Sequence, residues 1–261
     1  MEVTQHGPGT FCWVELTTSD AAGAKSLYSK LFGWEYLDNP MGPDMVYTMC
    51  QLGGKSAAAL YEAHDPNNPP HWGLYICVEN ANDTAAKARE LGGNVLMEPF
   101  DVMEHGRMAV LADPTGAIFC VWEPKQHIGY EVTGVPGTHC WSELLVPDTA
   151  KAKAFYSALF GWTVDESMGY YTMFKPKDGE MALAGMMAMT PDMGPMPPHW
   201  TPYFYVENAD ATVETAKANG ARVLHGPEDV PGMVRFATIM DSAGAVFGVF
   251  HSIGNPGGGE G

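Results

Sequence analysis

The chain has 261 residues, of which 46% are apolar and 17% charged, a composition typical of a folded globular protein long enough for one large or two ordinary domains. Asp and Glu outnumber Lys and Arg by 31 to 14, and the resulting formal net charge of -17 argues against nucleic acid or an anionic membrane surface as a partner. Residues 1–10 carry neither a basic patch nor an apolar core, and no apolar run approaches bilayer length, so a cytoplasmic location is expected.

In chain order, residues 11–16 alternate and are rich in aromatic and apolar side chains, which predicts a strand. Asp20 stands where a helix N-cap belongs. Ala24, Leu27, Tyr28 and Leu31 follow at helical spacing, and Gly33 supplies the stop. Residues 46–52 and 55–61 read as a hairpin about Gly53-Gly54, and residues 72–78 as another strand. The hairpin turn runs on into Lys55-Ser56 like the end of a phosphate loop, but Met49 replaces the opening glycine, so it remains a turn. A second helix is expected over residues 81–91, where Thr84, Ala85, Ala88 and Leu91 share one face ahead of Gly92. Late strands around 93–97 and 108–111 lead to the turn sequence Asp113-Pro114-Thr115-Gly116 and a last strand at 117–122.

The whole series then occurs again. Residues 9–34 align with 137–162 at a constant offset of 128, with 16 of 26 positions identical. Residues 71–102 align with 199–230 at the same offset with 15 of 32 identical, so the chain is a duplication. The expected division is a first module at 1–124, a linker at 125–136, a second module at 137–253 and a disordered glycine-rich tail at 254–261. Five cysteines (Cys12, Cys50, Cys77, Cys120, Cys140) form an odd set without a CxxC pair, as expected of scattered thiols in a reducing compartment. Asn82-Asp83-Thr84 fits a glycosylation pattern that carries no weight without a secretion signal.

The Leu-Phe-Gly-Trp endings at Trp34 and Trp162, the Val-Glu-Asn-Ala helix entries at residues 78–81 and 206–209, and the Asp-Pro-x-Gly-Ala turn at 113–117 carry a family likeness. With the strand–helix–strand series written twice per module, the chain resembles the vicinal oxygen chelate superfamily of glyoxalases, bleomycin-resistance proteins and dioxygenases. The resemblance covers nearly the whole chain. It implies an α+β fold of tandem βαβββ units, two modules of paired units, each curved sheet wrapping a cup for a small organic molecule.

Enzymes of that family hold a divalent metal with His and Glu side chains from three strands. Carried over, those places hold Trp13, Gly73 and Cys120 in the first copy and Trp141, Thr201 and Gly248 in the second, neither of which is a His/Glu set. No metal ligand is therefore assigned and no cofactor is expected, although a divalent metal at a displaced site stays open. Glu15 and Glu143 lie two residues beyond the tryptophans on the same strand face, and His71 and His199 two residues before the expected ligand place. His139 and His251 occur only in the second copy.

One reading makes Glu143 and His199 a catalytic pair within a displaced His139/Glu143/His199/His251 site, or Glu15 with His71, of a glyoxalase-like lyase or isomerase. A structural reading has the glutamates hydrogen-bonded at a strand edge or module interface and the His-Trp pairs closing Pro-Pro loops. The reading favoured here is a binding protein whose cups are lined by Trp13, Glu15, His71, Tyr75 and Trp122, and by His139, Trp141, Tyr203 and Phe250. Loops 62–70 and 190–198 read either as lids or as ordinary surface connections. Monomer and homodimer are both compatible with a duplicated chain.

Overall fold

The computed structural model describes residues 1–43, 45–63, 65, 67–177 and 179–253; the expected tail at 254–261 lies outside them. The first half runs β1 (Phe11–Thr18), α1 (Ala21–Phe32), β2 (Glu35–Pro40), β3 (Val46–Leu52), β4 (Lys55–Glu62), β5 (His71–Cys77), α2 (Ala81–Glu90), β6 (Asn94–Val102), β7 (Gly106–Ala112) and β8 (Ile118–Pro124). The second half repeats the series as β9 (His139–Val146), α3 (Thr149–Phe160), β10 (Thr163–Asp165), β11 (Thr172–Lys175) and β12 (Ala184–Ala188). It closes with β13 (His199–Tyr205), α4 (Ala209–Ala218), β14 (Arg222–Val230), β15 (Val234–Met240) and β16 (Val246–Ser252). Each half forms one eight-stranded mixed sheet, in the order β2-β3-β4-β1-β5-β8-β7-β6 and β10-β11-β12-β9-β13-β16-β15-β14. In each sheet two βαβββ units meet at a central antiparallel pair, β1 with β5 and β9 with β13. β2 and β10, which carry no clear alternation, are the strands that sequence periodicity passes over.

Local chemistry explains the helix limits. The Asp20 carboxylate accepts from Gly23 N at 2.8 Å, and Gly33 ends α1 at φ 71°, a left-handed conformation that glycine adopts without steric cost. Asp148 and Gly161 do the same for α3. Asn80 and Asn208 cap α2 and α4.

The main core lies between the two sheets, where helices of one half pack on the sheet of the other. Phe32 of α1 sits 4.7 Å from Phe204 and 5.9 Å from Phe247, ring centre to ring centre. Tyr156 and Phe160 of α3 pack at 5.5 and 6.0 Å from Phe119. Polar ties close the same interface: Trp34 Nε1 donates to Gly137 O at 2.9 Å, Trp162 Nε1 to Gly9 O at 2.8 Å, and the Tyr28 hydroxyl to Asp241 Oδ2 at 3.0 Å. This arrangement leaves the opposite, concave face of each sheet free to form a cup.

Candidate functional site

Strand alternation sends Trp13, Glu15 and Thr17 of β1 and Gly73 and Tyr75 of β5 to the concave face, together with Cys120 and Trp122 of β8. Trp141, Glu143, Leu145, Thr201, Tyr203 and Phe250 take the matching places in the second half. The concave faces border a continuous open depression of about 2520 Å³, well beyond what one small molecule fills, and its lining divides by module into two cups. Residues 67–70 and 192–193 with 195–198, from the two proline-rich loops, border it as well; His64 and Pro66 lie outside the described residues.

The same polar cluster stands at the base of each cup. In the first, Tyr47 Oη donates to Glu15 Oε2 at 2.6 Å, Tyr75 Oη donates to Glu15 Oε1 at 3.0 Å, and Trp13 Nε1 donates to Tyr47 Oη at 3.2 Å. In the second, Tyr171 Oη and Tyr203 Oη donate to Glu143 Oε2 and Oε1 at 2.9 and 3.1 Å, and Trp141 Nε1 donates to Tyr171 Oη at 3.0 Å. Burial is the largest influence on both carboxyls and raises their pKa above the usual range, against the lowering effect of the tyrosine hydrogen bonds. The partner phenols are pushed well up by burial and by the neighbouring carboxylate, so they remain protonated donors.

Tyr47 and Tyr171 were missed by reading the copies at a constant offset. The β2–β3 hairpin spans four residues more than the β10–β11 hairpin, Glu35 pairing with Gln51 where Thr163 pairs with Lys175, so Tyr47 pairs in space with Tyr171 rather than with Lys175; the register Met49↔Ala59 matches Met173↔Gly185. The signal was present as Tyr-Thr-Met at residues 47–49 and again at 171–173.

The histidines are placed differently from the sequence reading. Alternation alone would put His139 on the face of Trp141 and Glu143. A β-bulge intervenes: Tyr203 pairs with Trp141 but Phe204 pairs with His139, and the extra residue turns His139 toward the module interface. There it is buried, with Nε2 3.0 Å from Ser142 Oγ and its ring 6.0 Å from Phe11. His251 alternates with the cup-facing Phe250, and its Nδ1 lies 3.2 Å from Val206 O. His71 and His199 stand at the cup rims with Nδ1 2.8 Å from Pro69 O and Pro197 O respectively. The four-member set His139/Glu143/His199/His251 is thus not brought together. The remaining sequence candidates, Trp13, Glu15, Tyr75, Trp122, Trp141, Glu143, Tyr203 and Phe250, all reach a cup.

A family metal does not fit these residues. Indole and glycine at the carried-over places offer no ligand atom, each cup base brings a single carboxylate with no histidine beside it, and burial pushes the Cys120 thiol up to about 12. Among the described residues no three His, Cys, Asp or Glu side chains are grouped to hold a metal ion.

Two curved sheets of paired βαβββ units, each with a ligand-sized cup, define the vicinal oxygen chelate class. The profile of the Glyoxalase/Bleomycin resistance protein/Dioxygenase superfamily matches residues 10–121 and 127–249, and the chain belongs to that superfamily. It is 38% identical over 254 residues to "Putative glyoxylase CFP32" of Mycobacterium tuberculosis (strain CDC 1551 / Oshkosh), covering 94% of this chain and 96% of that one. It is also 34% identical over 264 residues to the anthracycline biosynthesis protein DnrV of Streptomyces peucetius, covering 95% and 94%. The Mn(II)-bound glyoxalase from Novosphingobium aromaticivorans shares the fold at a TM-score of 0.65 and 15% identity, over 94% of this chain and 82% of that one. No helix among the described residues is long and apolar enough to cross a membrane.

Proposed function

We propose that the chain binds a small hydroxylated aromatic molecule, stacked against a cup tryptophan and donating hydrogen bonds to the glutamate at the cup base. The observation that carries this reading is the direction of the hydrogen bonds. The hydroxyls of Tyr47 and Tyr75, or of Tyr171 and Tyr203, point at the carboxylate, and the indole N–H points at a phenol oxygen. The donors are used up internally, and what the base offers inward is acceptor lone pairs. A ligand that fits must therefore bring donors, as a phenol or an ammonium does. Around that base the walls are apolar and aromatic, including Met49, Met108 and Val110 in one cup and Met173 and Phe236 in the other. A negative net charge adds long-range attraction for a cationic ligand. A relative named for anthracycline biosynthesis supports an aromatic ligand class.

Titration of the purified protein with 2,6-dihydroxyanthraquinone, followed by tryptophan fluorescence, tests the reading. Binding should weaken about tenfold for the dimethyl ether and in Glu143→Gln, the scale of one hydrogen bond to a charged group. Equal binding of diol and ether would overturn it. A stoichiometric tightly held metal ion would overturn the metal-free form of it.

A second reading is favoured by the placement of Glu143 at the base of an apolar-walled cup, where burial raises the carboxyl pKa in the direction that suits a general base. Glu143 would then remove a proton next to a carbonyl group of the bound molecule. That reading expects deuterium exchange from solvent into an α-hydroxyketone, catalysed without added metal and lost in Glu143→Gln. Absence of exchange in the wild type rejects it and leaves binding alone.

A further inference from the structure

We propose that the two cups are unequal: the first is stoppered by the chain's own connecting segment, and the second is the one that takes the ligand. This rests on reading the cups as ligand sites. After β8 the chain turns back over the first cup. Trp122 Nε1 donates to His127 O at 2.8 Å, and His127 N donates to His105 O at 3.0 Å. The His127 ring stands edge-on to Trp13, 4.6 Å between centres at 88°, and 5.9 Å from Trp122. The segment then crosses β1: Tyr130 N donates to Cys12 O at 2.8 Å and Tyr130 Oη to Phe11 O at 2.6 Å. Glu131 fixes its far end, its N–H donating to Ser56 O at 2.7 Å while its Oε2 accepts from Ser56 N at 2.9 Å.

The seat is built for close approach. Gly129 has φ 113°, and a Cβ there would lie 2.1 Å from Cys12 O, so only glycine lets the segment pack this tightly on β1. Beneath it Trp13, Trp122, Cys12 and Cys120 retain 3, 6, 0 and 8% of their surface and join Tyr75 and Cys77 in a packed cluster. Their counterparts Trp141, Phe250 and Cys140 keep intermediate exposure.

The floors differ in the same sense. Ala59 and Cys120 are replaced by Gly185 and Gly248, and a Cβ at those glycines would lie 1.9 Å from Tyr171 Oη and 2.1 Å from Tyr203 Cδ1. In the second cup both tyrosines thus lie down on the sheet, which deepens the space above Glu143.

Acrylamide quenching of tryptophan fluorescence in the full chain tests the inequality without any ligand. The quenchable fraction should fall in Trp141→Phe and stay unchanged in Trp13→Phe. In His127→Gly, Trp13 should become quenchable; among the described residues Nε2 of His127 has no hydrogen-bond partner, so the variant loses packing but no side-chain hydrogen bond from that atom. Trp13 as quenchable as Trp141 in the wild type would overturn the proposal. Calorimetry with 2,6-dihydroxyanthraquinone should give one equivalent per chain in the wild type and two in His127→Gly. Two equivalents in the wild type would also overturn it. No heat with either protein counts against the proposed function, whereas the quenching result still decides which cup is open.

Discussion

At Glu143, burial and hydrogen bonding act in opposite directions. Burial raises the pKa and outweighs the two phenols that lower it. A carboxyl whose folded pKa is raised stabilises the fold below its unfolded pKa, and that contribution is lost as pH rises through the folded value. Glu143→Gln should therefore leave stability at pH 8 unharmed while weakening ligand binding, and urea titrations beside fluorescence titrations check both halves. His139 shows the converse case. Burial holds its pKa down to about 4 from 6.5, so the unfolded chain takes up a proton that the folded chain refuses within that window. Stability should fall as pH drops from 6.5 toward 4, by up to roughly 3 kcal/mol at about 1.4 kcal/mol per unit. His139→Phe, which installs the residue of the first copy, should flatten that dependence in urea unfolding at pH 7 and 4.5.

At the scale of elements, helix limits follow from a few side chains. Asp20→Ala removes the bond to Gly23 N and should cost about 1 kcal/mol in denaturant unfolding. Gly33→Ala forces a Cβ into left-handed backbone and should cost about as much. These limits were legible because capping depends on neighbours in sequence. Cup membership was legible in part for the same reason: Trp13 with Glu15, and Trp141 with Glu143, lie two apart on strands. His139 broke the pattern because a bulge is decided by the partner strand, where Phe204 and Tyr203 pair across one extra residue. Tyr47 and Tyr171 are not legible as a pair because the first hairpin is four residues longer than the second, which moves them off the common offset.

Across the whole molecule, the helices of each half complete the core of the other. Phe32 packs on Phe204 and Phe247, and its replacement by Ala should cost about 3–5 kcal/mol. Because that loss falls on both halves together, unfolding should remain a single calorimetric transition; two separated transitions would show that the halves are independent. The recurring Leu-Phe-Gly-Trp motif acquires its reason here, since Trp34 and Trp162 each reach the glycine that opens the first strand of the other half. The sequence by itself determined the duplication, the superfamily likeness, the helix caps and the paired Trp and Glu, all of which depend on spacing along the chain. Only the tertiary structure decided the Tyr–Glu–Tyr clusters, the inward turn of His139 and the packing of residues 125–131 over the first cup. Each of these depends on which distant strand or segment lies alongside, and local spacing does not record that.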